Sequence, residues 1–381
     1  MITDADMKKS LGLYIHIPFC KRKCLYCDFC SVAGGNEELV ERYAASLKAC
    51  LTQYAKMAEG YAVDTVYFGG GTPTLLPISL IGEILDACFS NFDITRDAEI
   101  TCETNPATAS AEYLSTIRKF GINRLSIGLQ SMMENELRAL GRIHGREDFL
   151  RTFSDARKAG FDNISVDLMY GIPEQTMESF KDTIEKTVKL SPEHISAYCL
   201  KVEENTPFGR MGDKLILPDD DEASDMYEEC VKSLARAGYS RYEISNFARE
   251  GRESKHNLRY WLGREYLGIG AAAHSYFGGE RFAFSPNITA FANGEFSACE
   301  REKIDNEERM REQVMLRMRL QIGVNADEFE SEFGIPFETR FSEIKRFIDS
   351  GHVAFDGKNY RFTDEGFFVS SYILSEILDF S

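Results

Sequence analysis

No apolar run in this 381-residue chain reaches the ~18 residues that a membrane-spanning helix needs, so an integral membrane protein of that kind is not expected. The opening residues, MITDADMKKSLG, have lysines but no apolar core behind them, so no secretory signal is expected either. Positive charge is scarce: 44 Lys and Arg face 61 Asp and Glu, a formal net charge of −17 and a pI of about 5.0. A field of that sign repels nucleic acid and anionic lipid headgroups, which leaves small ligands and proteins as the expected partners. There is a single tryptophan, Trp261, and neither an internal repeat nor a low-complexity tract. What remains is an ordinary globular composition, 43% hydrophobic with a mean hydropathy of −0.30. Its length suits one large α/β domain and a smaller one. The expected location is the cytoplasm, where thiols stay reduced and clustered cysteines are more often metal ligands than disulfides.

Cysteine, by contrast, is abundant, with ten in the chain. Six are scattered, at Cys50, Cys88, Cys102, Cys199, Cys230 and Cys299, and are expected as small buried hydrophobes. Cys20, Cys24, Cys27 and Cys30 fall within "HIPFCKRKCLYCDFCS", the first three as C-x3-C-x2-C. A structural zinc site would need a second pair or histidines at suitable spacing, and none is evident. Three thiolates on one short loop can instead wrap a cubane iron–sulfur cluster and leave one iron open.

Strand-like runs at Leu13–Ile17, Thr65–Phe68, Ala98–Glu103, Arg124–Leu129, Asn163–Met169 and His194–Leu200 alternate with amphipathic helical patterns. The helices are expected at Glu37–Lys56, Pro77–Phe89, Ala109–Phe120, Glu147–Ala159 and Met177–Lys189. Six such units make a full or partial parallel barrel whose ligands gather at the strands' C-terminal ends. Those ends carry the cysteine loop, "GGGTP", "ETNP" and "GLQS", and Asp167 sits in "SVDLMYG". After Lys201 the pattern loosens: a helix at Asp221–Ala237 precedes "YEISNFA" and "SKHNLRYWLGREYLGIGAAAHS", read as two strand-like elements around a polar, aromatic loop. The expected divisions are 1–200, 201–299 and 300–381. The last should hold helices at Glu307–Gln321, Ala326–Phe333, Phe337–Ser350 and Asp364–Leu378, with a hairpin turning at "DGKN". This winged-helix-like module carries 11 Lys and Arg against 18 Asp and Glu, which favours a structural or docking role over DNA binding.

The C-x3-C-x2-C loop with Tyr26 before its last cysteine, followed by "GGGTP", resembles the signature of radical S-adenosylmethionine (SAM) proteins. With "LGRIH", "DLMYGIP" and "HNLRYW" added in order, the chain is similar to the oxygen-independent coproporphyrinogen III oxidase-like group, and within it to the heme chaperone branch. The resemblance implies a partial (β/α)6 TIM-like barrel with extra strands and a small C-terminal winged-helix-like α+β domain. It implies that Cys20, Cys24 and Cys27 hold a [4Fe–4S] cluster and that Tyr14 and Tyr26 pack beside cluster and cofactor. Gly70, Gly71 and Thr72 would meet the amino group of SAM, where glycine keeps backbone carbonyls accessible. Glu103, Gln130, Arg142 and Asp167 match further SAM contacts; Asp167 and Gln130 suit ribose hydroxyls, and Arg142 suits a carboxylate. Taken singly, an arginine such as Arg142 is more often a surface ion-pair residue.

In the oxidase branch a fourth cysteine follows two residues after the third; here that place is Phe29, and Cys30 comes one residue later. Only 19 residues precede Cys20, little room for the extension that resembles the oxidase's substrate lid. Both departures favour a heme chaperone that delivers heme to an acceptor protein and takes electrons from a donor, with room for peripheral membrane association. The alternative is a coproporphyrinogen III dehydrogenase-like oxidoreductase, or another radical enzyme acting on a tetrapyrrole. H-N-x-x-Y-W marks the chaperone branch, so the resemblance makes His256 a heme contact; alone, it reads as a hydrogen-bonded loop histidine. His274 is a second candidate, at a strand end, and His16 is expected to support the cluster loop.

Overall fold

A computed structural model describes residues 8–378, so the stretch read above for a targeting core lies mostly outside it. Alternation sets the architecture. In β1 (Lys9–Ile17), Leu11, Leu13, Ile15 and Ile17 are fully buried, while the intervening Gly12, Tyr14 and His16 take the opposite face. Next come β2 (Tyr61–Gly70), β3 (Ile94–Thr104), β4 (Arg124–Gln130), β5 (Ile164–Tyr170) and β6 (His194–Cys199). Each pairs in parallel with the next, across helices such as Glu37–Ala55, Ile78–Asn91 and Met177–Lys189. The apolar face of these strands joins the helices in one continuous core. The opposite face carries Tyr14, Tyr67, Glu103, Ser126, Asp167 and Ser196 from six successive strands. Closed barrels of this kind usually fill that space with branched apolar residues. Here it is polar.

Six shorter strands complete the sheet: β7 (Ser240–Arg241), β8 (Asn246–Ala248), β9 (Tyr266–Ile269), β10 (His274–Phe277), β11 (Glu280–Phe284) and β12 (Ala298–Lys303). The order is β12-β11-β10-β9-β1-β2-β3-β4-β5-β6-β8-β7. Strand β9 runs parallel to β1, and antiparallel strands border both sides, so the barrel stays open. This is the expected partial (β/α)6 barrel with extra strands.

The polar, aromatic stretch expected as a loop is instead a helix, Lys255–Trp261. Ser254 caps it, accepting from the Asn257 amide at 3.4 Å, and Glu99 of β3 accepts from the Lys255 and His256 amides at 3.2 Å each. Seven residues carry little periodicity, and the carboxylate that favours the helix comes from far earlier in the chain.

Near the C-terminus, helices Asn306–Arg317 and Ala326–Phe333 pack with β13 (Val324–Asn325), β14 (Val353–Phe355) and β15 (Asn359–Phe362) around a second core containing Phe329, Phe337, Phe341 and Phe362. The small antiparallel sheet, ordered β13-β15-β14, makes this module winged-helix-like. Its hairpin turns where expected: Asp356 accepts from the Lys358 and Asn359 amides at 3.0 and 2.8 Å. Two expected helices are broken. Phe341 (φ −120°, ψ 62°) divides Phe337–Arg340 from Ile344–Asp349 while burying its ring, and Val369 (φ −111°, ψ 20°) divides Asp364–Phe368 from Ser370–Leu378. Among the described residues no helix is long and apolar enough to cross a membrane.

Candidate cluster and cofactor site

The cysteine loop starts where β1 ends and is tied down from several directions. The Val32 and Gly34 amides donate to the Pro18 and Cys20 carbonyls at 2.8 Å each, and Cys27 closes a turn onto Cys24 at 3.3 Å. Leu25 donates to the Leu140 carbonyl and accepts from the Phe208 amide, both at 3.1 Å. Beneath the loop, His16 Nε2 donates to the Cys30 carbonyl at 2.8 Å, which leaves Nδ1 to accept from the Tyr14 hydroxyl at 3.0 Å. Burial lowers the His16 pKa, in keeping with the neutral ring that this pattern requires.

All ten cysteines are unbridged and the three motif thiols are partly exposed; of the six scattered ones expected to be buried, Cys199 and Cys299 are exposed, each at or near a strand end. Burial pushes Cys20 and Cys27 up, and the negative charge of neighbouring motif thiolates adds to the shift in both. Such thiols hold their protons until a cation replaces them. Among the described residues no three His, Cys, Asp or Glu side chains could hold a single metal ion. A cube would ask each of the three thiolates to meet a different iron. The Cys30 thiol is directed instead at the Pro286 carbonyl, 3.3 Å away, and Phe29 beside it is 68% exposed.

The end of β2 locks onto this loop. The Gly71 and Thr72 amides donate to the Ile17 and Phe19 carbonyls at 2.8 Å each. Gly70 has φ +111°, and a Cβ there would lie 2.5 Å from the His16 ring; on Gly71 it would lie 2.7 Å from the Phe19 oxygen. The glycines are therefore required by contact with β1 and the cysteine loop, in addition to any ligand access.

Thr72 Oγ1 lies 3.8 Å from Cys20 Sγ and accepts from Asn105 Nδ2 at 2.7 Å. Asn105 Oδ1 accepts from Arg142 Nη2 at 2.9 Å, and the same nitrogen donates to the Gly128 carbonyl at 2.6 Å. One chain of bonds thus joins the first cysteine to Arg142. Tyr26 ends beside Arg142; burial pushes its phenol up, and the guanidinium opposes that shift.

Glu103 accepts from Tyr67 at 2.8 Å and from the Gly70 amide at 3.2 Å. Burial pushes its carboxyl up to about 7, with the Asp167 charge adding to the shift and the Tyr67 and Gly70 bonds opposing it. Asp167 accepts from Ser126 Oγ at 3.0 and 3.1 Å and is also raised by burial. Gln130 ends β4 at φ +71°, an uncommon conformation for a residue with a side chain. Sequence reasoning assigned no role to Asn105, Tyr67 or Ser126. Asn105 lies within "ETNP", and the other two share the inward parity of Glu103 and Asp167, a signal that was available.

His256 is 1% exposed, with Nδ1 2.8 Å from Thr65 Oγ1 and Nε2 2.8 Å from the Tyr260 hydroxyl. Burial, then the charges of Arg259 and Arg124, lower its pKa to about 3, so the ring is neutral. In this arrangement a heme iron would have to displace one of its two partners. His274 is exposed, the first residue of β10.

Residues 14–187 match the Radical SAM superfamily, and residues 304–369 match the HemN C-terminal domain. The chain is 34% identical over 381 residues to the Heme chaperone HemW of Lactococcus lactis subsp. lactis (strain IL1403), across 98% of each chain. It is 40% identical over 264 residues to the Heme chaperone HemW of Escherichia coli (strain K12), across 69% of each. The solved coproporphyrinogen III oxidase (HemN) from Escherichia coli, a radical SAM enzyme, shares the fold with a TM-score of 0.87 at 24% identity, over 98% of this chain and 91% of that one. The chain belongs to the HemW family within the radical SAM superfamily, and that membership implies a [4Fe–4S] cluster and SAM.

Proposed function

With that membership as premise, we propose that the protein binds a cluster, SAM and heme in the cytoplasm and passes heme to an acceptor protein. Cys20, Cys24 and Cys27 would hold the cluster, which when bound supplies an electron and an open iron. Gly70, Gly71 and Thr72 would frame the amino group of SAM, with the Glu103 carboxylate facing its positive charge. Arg142 would take the SAM carboxylate, Gln130 and Asp167 the ribose hydroxyls, and Tyr14 and Tyr26 would flank the cofactor.

The observation that carries the chaperone reading is Phe29, an exposed aromatic at the place where the oxidase pattern has a fourth cysteine. The fold shared with HemN keeps a second reading in view, oxidative decarboxylation of coproporphyrinogen III, or action on another tetrapyrrole. Anaerobic incubation of the reconstituted protein with SAM, reductant and coproporphyrinogen III separates them. No vinyl product is expected, whereas bound heme should transfer to an apo-cytochrome. Catalytic turnover to vinyl groups would overturn the chaperone reading.

A further inference from the structure

Resting on that reading, a heme needs a seat with an available iron ligand, and the nitrogens of His256 are both engaged. We propose that heme docks in the cleft along the open edge of the barrel with His274 as its axial ligand, and that His256 is a positioning residue acting through Tyr260.

The cleft has a volume of about 860 Å³, inside the range of roughly 300–1,000 Å³ typical of small-molecule sites. Its lining is mixed: Tyr14, Phe29, Tyr260, Tyr266 and Ile288 offer flat or apolar surfaces suited to a porphyrin face, beside the polar Asp28 and Asn205. Its other histidine, cysteine and tyrosine side chains offer iron less. His16 uses both nitrogens, on Tyr14 and on the Cys30 carbonyl. The Cys30 thiol bonds Pro286 and is pushed up by burial. The phenols of Tyr14, Tyr260 and Tyr266 are likewise pushed up by burial, which disfavours a tyrosinate ligand. His274 remains: exposed, lining the cleft, and without a side-chain hydrogen bond among the described residues.

Its backbone is fixed. His274 pairs with Ala283 in the β10–β11 ladder, and its carbonyl oxygen lies where a Cβ on Gly268 would be, 2.1 Å away. An imidazole on a rigid strand is a pre-set ligand. His256 orders the opposite wall: it holds the Tyr260 hydroxyl at 2.8 Å, and the Tyr260 ring meets Tyr266 edge-on at 4.6 Å. Lys23, the one lysine or arginine among the described lining residues, donates to the Phe29 carbonyl at 2.9 Å and keeps further ammonium protons for a propionate.

The test is anaerobic titration of cluster-reconstituted protein with ferric heme, followed by difference spectra. Wild type should saturate at one heme with an imidazole-ligated Soret band. His274→Ala should bind about tenfold or more weakly with a shifted Soret band, and added imidazole should restore the wild-type spectrum. Cluster absorbance, SAM affinity and melting temperature should not change, because His274 is exposed. His256→Ala should keep the wild-type Soret position. A His274→Ala spectrum and affinity equal to wild type, or loss of the imidazole-ligated band in His256→Ala, would overturn the assignment while leaving heme carriage intact. Failure of wild type itself to bind heme would overturn both.

Discussion

On the inner face of β2–β5 and the loops at its top, the polar side chains are buried or half-buried and bonded to one another: Tyr67 to Glu103, Ser126 to Asp167, Asn105 to Thr72 and Arg142. Along the open edge, between the cysteine loop and β10, Phe29 and His274 face solvent. The first arrangement is preorganised and costly to disturb, as a seat for resident cofactors must be. The second leaves the His274 imidazole exposed on a fixed backbone, with no side-chain hydrogen bond among the described residues, which would suit a cargo that has to leave again. Retention and release thus call for different surfaces within one barrel.

Four substitutions sharpen or break this contrast. The largest effect is expected from Cys24→Ala, which should abolish the brown cluster absorbance after anaerobic reconstitution. A variant that still assembled a full cluster would remove the motif's claim to the inner site. His256→Ala comes next: it leaves the Thr65 and Tyr260 hydroxyls without their partner in a buried place and should lower unfolding free energy by about 1–3 kcal/mol in denaturant titrations.

Glu103→Gln is subtler. Because burial raises the carboxyl to about 7, the folded apoprotein keeps this proton after the unfolded chain, titrating near ~4.3, has lost it. Its contribution to stability is therefore present below the unfolded value and fades as pH rises through about 7. SAM binding has the opposite slope, since the α-ammonium needs the carboxylate. Calorimetry should find wild-type affinity about tenfold weaker at pH 6 than at pH 8, and Glu103→Gln should flatten that dependence. The smallest effect on stability belongs to Phe29→Ser, within about 0.5 kcal/mol by thermal melt. Heme affinity should nevertheless fall. An unchanged affinity would take Phe29 out of the cleft's function.

The sequence made the inner site far more legible than the open edge. The pattern over Met177–Lys189 marks that helix to the residue, and the cysteine loop and GGGT turn announce themselves because their chemistry is local. The Lys255–Trp261 helix was not legible, since its capping carboxylate, Glu99, arrives from another strand. The break at Phe341 was hidden by an apolar pattern that continues across it. The engagement of both His256 nitrogens depends on Thr65, which no spacing around the motif reveals.

The backbone of Leu25 carries a last consequence. The cysteines leave the ribosome early, yet the groups that clamp this residue, Leu140 and Phe208, belong to segments synthesised much later. Closing such long loops waits on the rest of the chain. A chain that ends before Phe208 lacks one of these two clamps and should reconstitute a cluster less completely than the full chain.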